Sequence, residues 1–280
     1  MIDVRRKGFV MSSGGGGLIA LTDPARGAKI VSLRDDRGRE WLAQGDGRKH
    51  RPGVAFVDAE MAGWDECAPT IVACKVDGRA IPDHGDLWDV PFTAEGPMVW
   101  ARGRSLDYVL ERSITPTPLG LRLTYRAWTP HVSIPFLWAA HPQFVAPSGT
   151  RVVADIETVV DVFDPDLPEL DWSSELASID WGPDLADRKV YCAPDRPVSS
   201  ATLVHPDGSS LTMRWSADTP YLGLWFDRGR YSREPVIAIE PSTGFFDSLA
   251  TAIKFGRVAT LDPETPLTWW IELEARVLAD

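Results

Sequence analysis

"LDYVLERSITPTPLGLRLTYRAW", residues 106–128, is the stretch that decides the fold. Apolar and aromatic side chains alternate with polar ones on both sides of TPTP, and a period of two belongs to a half-buried strand, not a helix. "LDYVLERSI" and "LGLRLTYRAW" therefore read as two strands joined through the Thr-Pro repeat. The pattern recurs. "AKIVSLRD" (28–35) and "EWLAQ" (40–44) read as a hairpin across "DDRGR", and "RVVADIETVVDVF" (151–163), "SSLTMRWSA" (209–217), "YLGLWF" (221–226), "PVIAIEP" (235–241) and "LTWWIELEARV" (267–277) continue the series. Helical candidates are few and short: "SSELASI" at 173–179 and "DSLATAI" at 247–253. The expectation is an all-β fold, a large antiparallel β-sandwich with few short helices.

The tetraglycine at 14–17 reads as a flexible approach to the first strand; no Gly-Lys-Ser/Thr follows it, so it is not a nucleotide loop. "DPDLPELDW" (164–172) has the composition of a loop insertion. The prolines are scattered, no Pro/Gly/Ser-rich linker divides the chain, and no repeat recurs at a solenoid or propeller period. Residues 1–280 read as a single domain.

A formal net charge of −11 argues against nucleic acid or an anionic membrane as partner, since both select a basic face. No apolar run approaches the ~20 residues needed to cross a bilayer. The N-terminal "MIDVRRKGFVMSSGGGG" lacks a signal peptide's apolar core, which makes the cytoplasm the expected compartment. Cys67, Cys74 and Cys192, an odd number without CxxC spacing, supply neither a disulfide framework nor structural zinc. Two acids beside Cys67 raise a thiol pKa and make it a poor nucleophile. No metal or cofactor is expected.

Four segments join polar residues to tight-turn chemistry: "GWDECAPTI" (63–71), "PDHGDLW" (82–88), "PFLWAAHPQF" (135–144) and "IAIEPSTGFFDSLA" (237–250). The Pro-Asp and Gly around His84 mark a turn. His141 and Glu240 each close an apolar run and are followed by proline, which places both at strand ends. Partial burial there can raise a carboxyl pKa into a general-base range.

In this order the four segments, with "GAKIVSLRDDRGREWLAQ" before them, resemble the galactose mutarotase-like superfamily, the aldose 1-epimerases and their relatives, from about residue 18 onward. The resemblance implies a sugar-recognising β-sandwich and three roles. His84 is similar to the histidine that hydrogen-bonds the sugar near its ring oxygen, His141 to the general acid on that oxygen, and Glu240 to the base that takes the anomeric hydroxyl proton. Opening a pyranose hemiacetal requires loss of the O1 proton and protonation of O5, a task that a carboxylate and an imidazolium suit near neutral pH. Asp65 and Glu66 are expected to accept hydrogen bonds from sugar hydroxyls, and Trp64 and Trp88 to pack on the sugar's C–H face. Trp138, inside an apolar run, reads as core.

Hexose-6-phosphate mutarotases also resemble the chain but carry an arginine shortly after "HG". Here "HGDLWD" places Asp86 and Asp89 there, which disfavours a phosphate unless Arg48, Lys49, Arg51, Arg102 or Arg104 intervene. The asparagine–arginine signature of galactose mutarotases is missing from 63–71. The expected activity is interconversion of the anomers of an unphosphorylated aldose, with a small-molecule sugar as partner. Three alternatives stay open: a sugar-binding or regulatory protein without turnover, a glycoside hydrolase or lyase using Asp65 or Glu66 with Glu240, and a 2-His-1-carboxylate metal site of His84, His141 and Glu240.

Overall fold

The TPTP hairpin forms with Leu121 opposite Pro116 and Trp128 opposite Val109. In the computed structural model, which describes residues 10–45, 53–162, 168–182 and 186–276, the strand Val109–Pro116 buries Leu110, Arg112 and Ile114 and turns the intervening residues outward. Gly120 N–H donates to Thr117 Oγ1, and Thr117 N–H to the Gly120 carbonyl, closing the turn. With 48% strand and 5% helix, the architecture is mainly β.

Two large antiparallel sheets make up the fold. The eleven-stranded sheet runs Val10–Ser13, Ile19–Asp23, Lys29–Arg34, Trp64–Cys67, Ala139–Pro142, Val236–Ser242, Tyr221–Asp227, Asp187–Cys192, Thr158–Asp161, Leu170–Asp171, with Phe144–Val145 also pairing on Val236–Ser242. The eight-stranded sheet runs Arg151–Ala154, Ser200–Val204, Ser210–Trp215, Leu267–Arg276, Gly120–Trp128, Val109–Pro116, Met98–Arg102, Thr93–Glu95. Side chains from both sheets merge in one apolar cluster. At its centre the Tyr125 and Trp269 rings lie parallel, centroids 5.2 Å apart, and Trp138 packs 4.6 and 5.0 Å from them. Trp138 is core, as its apolar run implies.

Several local expectations are corrected. Val10–Ser13 precedes the glycine run, so the run lies between two strands; a Cβ on Gly14 would fall 1.8 Å from the Gly120 carbonyl oxygen and one on Gly15 2.1 Å from that of Pro118. The glycines are there to pack against the TPTP turn. "EWLAQ" makes only isolated bridges, because the Glu40 carboxylate itself accepts from Leu33 N–H at 2.7 Å. "RVVADIETVVDVF" is two strands, Arg151–Ala154 in one sheet and Thr158–Asp161 in the other. Residues 173–179 form turns, tied to the neighbouring strand by Val152 N–H to Ala177 O and Ile179 N–H to Thr150 O. In 164–172, the pair Leu170–Asp171 joins Thr158–Asp161 as an edge strand, and 163–167 lie outside the described residues. The second helical candidate forms as Leu249–Lys254, N-capped by Ser248. Among the described residues no helix is long and apolar enough to cross a membrane.

Candidate active site

Alternation in "WDEC" sends its residues to opposite faces of the large sheet. Trp64 and Glu66 face the space between the sheets, where Trp64 packs against Phe144 and is wholly buried. Glu66 pairs with Arg112 and accepts from Tyr125 Oη at 3.2 Å and Trp138 Nε1 at 2.8 Å. Burial raises the Glu66 carboxyl above its ordinary value, against the lowering by Arg112, Trp138 and Tyr125. The expected sugar contacts of Trp64 and Glu66 are therefore corrected: both side chains are spent on the core, one by packing and one by a buried ion pair.

Asp65 and Cys67 face the other way. Register carries that face across the sheet: Asp65 lies opposite His141, Glu240 opposite Gly223, and Gly223 opposite Tyr191. His141 and Glu240, on adjacent strands, join this row through a hydrogen bond of 2.6 Å between Nδ1 and Oε1. A Cβ on Gly223 would stand 3.1 Å from Tyr191 Cζ and 3.3 Å from Glu240 Oε2, so the glycine leaves the room in which these groups meet. Lys189 reaches this place and bridges Glu240 Oε2 at 2.5 Å and Asp247 Oδ1 at 2.8 Å; Tyr191 Oη donates to the same Asp247 oxygen at 2.8 Å. At the other end Asp65 is fully buried and paired with Lys29 at 2.7 Å.

The electrostatics of Glu240 reverse the expectation drawn from its place in the sequence. The strand continues through Pro241 to Ser242, which pairs with Ala139 and Tyr221, so Glu240 is strand interior and wholly buried. Burial alone raises a carboxyl pKa. Here Lys189 and the His141 hydrogen bond outweigh it and hold Glu240 at about 2. In turn, burial lowers the Lys189 ammonium, but Asp247 and Glu240 carry it above its ordinary value. The carboxylate is ionised and the lysine charged at neutral pH.

His84 arrives from above the sheet. His84 and Gly85 both have positive φ, +57° and +73°, and Gly85 N–H closes the turn on Pro82 O. A Cβ on Gly85 would sit 1.9 Å from the Ala68 carbonyl oxygen, so the turn can lie this close to the end of the Trp64–Cys67 strand only with glycine. His84 Nδ1 meets Asp83 Oδ2 at 2.8 Å, and its ring lies 5.2 Å from that of His141. Burial lowers the His84 pKa, against the raising effect of Asp83. Phe56 covers the group: it stacks on His84 with centroids 3.6 Å apart and approaches His141 edge-on at 5.8 Å. Trp88, 6% exposed, packs edge-on against Phe56 and so supports the cap. Gln143 Nε2 donates to His141 Nε2 at 2.9 Å, which leaves Nδ1 as the ring nitrogen that donates to Glu240.

Asp86 and Asp89 are not pocket charges. Asp86 accepts from Tyr108 Oη at 2.6 Å and from the backbone of Arg104 and Ser105, and Asp89 pairs with Arg104 at 2.6 Å. Arg102 pairs with Asp107 at 2.6 Å. Arg48, Lys49 and Arg51 lie outside the described residues. The structure thus brings His84, His141, Glu240 and Asp65 to one face and adds Lys189, Asp247, Tyr191, Phe56 and Cys67, which the sequence reading did not nominate.

No family model and no curated protein matches the sequence. Solved structures do. A Synechocystis protein is similar with TM-score 0.74 and 15% identity, over 92% of this chain and 91% of its own. A galactose mutarotase-like protein from Lactobacillus casei has TM-score 0.69 and 17% identity, over 96% of this chain and 100% of its own. One from Clostridium acetobutylicum has TM-score 0.71 and 14% identity, over 94% of each. The chain has the galactose mutarotase-like fold.

Proposed function

We propose that the protein is a mutarotase of the aldose 1-epimerase type. The observation that carries this reading is the buried pair of His141 and Glu240 on adjacent strands, 2.6 Å apart, with Lys189 behind the carboxylate. Glu240, ionised, takes the O1 proton of a pyranose, while His141, as an imidazolium, gives to ring O5 the Nδ1 proton that otherwise meets Glu240. The C1–O5 bond breaks, the aldehyde rotates about C1–C2, and reclosure on the opposite face returns both protons. The imidazolium's second proton, on Nε2, requires the Gln143 amide to turn its oxygen to the ring, and a sugar between the pair replaces their direct hydrogen bond. Catalytic contacts of this kind commonly assemble only in the complex. His84, held by Asp83, orients the ring oxygen. Glu240 has no exposed surface, so Phe56 must move for a sugar to enter.

A neutral aldose is the substrate class that fits. Among the described residues the two buried lysines are each neutralised, Lys189 by Glu240 and Asp247 and Lys29 by Asp65, and neither offers free charge to a phosphate. The hydrolase reading needs a second free carboxylate, and Glu66 and Asp65 are both committed to cations. Sugar binding without turnover is the second reading, favoured by the closed cap of Phe56 over His84. NMR exchange between the anomers of a panel of aldoses and their 6-phosphates tests the choice. A free aldose should be accelerated over its phosphate. A preference for the phosphate refutes the substrate class, and binding with no acceleration of any sugar favours the second reading.

A further inference from the structure

Cys67, His84 and His141 present one sulfur and two ring nitrogens that all lie within 4.8 Å of one another. Their spacing in the sequence gives no hint of this. The triangle arises because Cys67 pairs with Ala139, two residues before His141 on the neighbouring strand, while the His84–Gly85 turn folds back onto the same strand end. We propose that these three side chains form a site for a thiophilic divalent ion of the zinc class, built directly over the acid–base pair.

The surroundings of the three ligands support this. Metal-bound histidines almost always give their second ring nitrogen to a carboxylate or carbonyl, which fixes the ring. Both histidines here are held in that way, His84 by Asp83 at 2.8 Å and His141 by Glu240 at 2.6 Å, each through Nδ1. Nε2 is left to ligate in both; at His141 it carries only the neutral amide of Gln143, which an ion would displace. A carboxylate as third ligand fails, because both Glu240 oxygens are already taken by His141 and Lys189. Cys67 takes that place, and a sulfur with two imidazoles selects zinc over magnesium or calcium. Bond lengths of about 2.0–2.3 Å make the edges of a tetrahedral site about 3.3–3.6 Å, so the triangle must contract by up to about 1.5 Å. His84 sits on a two-residue turn, where side-chain rotation supplies that movement. On binding, the thiol releases its proton to solvent, and the fourth position falls to water, the open arrangement of three-ligand zinc sites.

An ion there occupies the His141 Nε2 lone pair that must carry the second proton of the imidazolium, so metal and turnover exclude each other. Binding itself does not depend on the mutarotase reading, and the test reads binding. The full chain carrying Cys74→Ser and Cys192→Ser, which keeps Cys67 as its one thiol, is titrated with Co2+ under anaerobic conditions. The expected result is one ion bound per chain, with tetrahedral visible bands and a sulfur-to-cobalt charge-transfer band, all displaced by Zn2+. Cys67→Ser should remove the charge-transfer band, and Asp83→Asn should weaken affinity about 10- to 100-fold. If Cys67→Ser fails to fold, X-ray absorption on the zinc-loaded wild type decides, with one sulfur and two imidazole nitrogens expected. Absence of the sulfur band, its survival in Cys67→Ser, or a zinc shell without sulfur overturns the proposal.

Discussion

Lys189→Met keeps the length of the side chain and removes its charge. In the structure Nζ lies 2.5 Å from Glu240 Oε2 and 2.8 Å from Asp247 Oδ1, with all three side chains buried or nearly so. The substitution leaves two carboxylates without their cation. Removing one partner of a buried pair costs about 3–5 kcal/mol, far more than an exposed pair contributes. The pH dependence separates this from a packing defect. Glu240 sits at about 2 in the wild type against an ordinary 4.5, so its contribution to stability is complete above 4.5 and is lost as pH falls through 2. In Lys189→Met, burial is no longer outweighed by the ammonium, and Glu240 takes up its proton at a higher pH. Below that pH the variant's carboxyl is neutral and its penalty fades, by about 1.4 kcal/mol per pH unit. Urea unfolding followed by tryptophan fluorescence should show a loss of about 3–5 kcal/mol at pH 7 and a clearly smaller one near pH 4. A loss below about 1 kcal/mol at pH 7, or one that does not change with pH, refutes the role given to Lys189.

Glu66→Gln should lower stability and leave KM for the sugar unchanged in the folded protein, because Glu66 neutralises Arg112; a raised KM at wild-type stability would restore it as a sugar ligand. Phe56→Ala exposes His84, so the His84 pKa, lowered chiefly by burial, should rise toward its ordinary 6.5 in an NMR titration, and an unmoved value would show that Phe56 is not the shield. Gly223→Ala crowds Glu240 and Tyr191 and should cost about 1–3 kcal/mol in urea unfolding, with no cost expected if that space is slack.

The strands were legible wherever one face meets the core and the other does not, as in Val109–Pro116. Arg112 in that strand was not nominated, although it stands in phase with Leu110 and Ile114, and a cation on an apolar face needs a buried partner. Glu66 is that partner, and the alternation in "WDEC" separates it from Asp65 by one residue. His84, His141 and Glu240 stood out as polar residues bracketed by turns and prolines, and the family resemblance supplied the roles expected of them. Lys189 escaped because "DRKVYC" places two cations side by side, and nothing local tells which one turns inward; both prove buried, Lys189 against carboxylates and Arg188 against the Trp181 and Phe226 rings. Cys67 reaches the site through strand register and Phe56 from the short 3-10 turn Phe56–Asp58, long-range facts with no periodic trace in the sequence. The burial of Glu240 likewise depends on strands paired on both sides of it, which Pro241 conceals in the sequence.

The central claim is that Glu240 and His141 open and close a sugar ring. The direct measurement is polarimetric mutarotation of the best aldose by the wild type and by Glu240→Gln, which keeps the side chain's shape and cannot accept the proton. A general-base step is worth about 10²- to 10⁴-fold, and the variant's kcat should fall by that range while sugar binding persists. Turnover by Glu240→Gln at near wild-type speed would contradict the account.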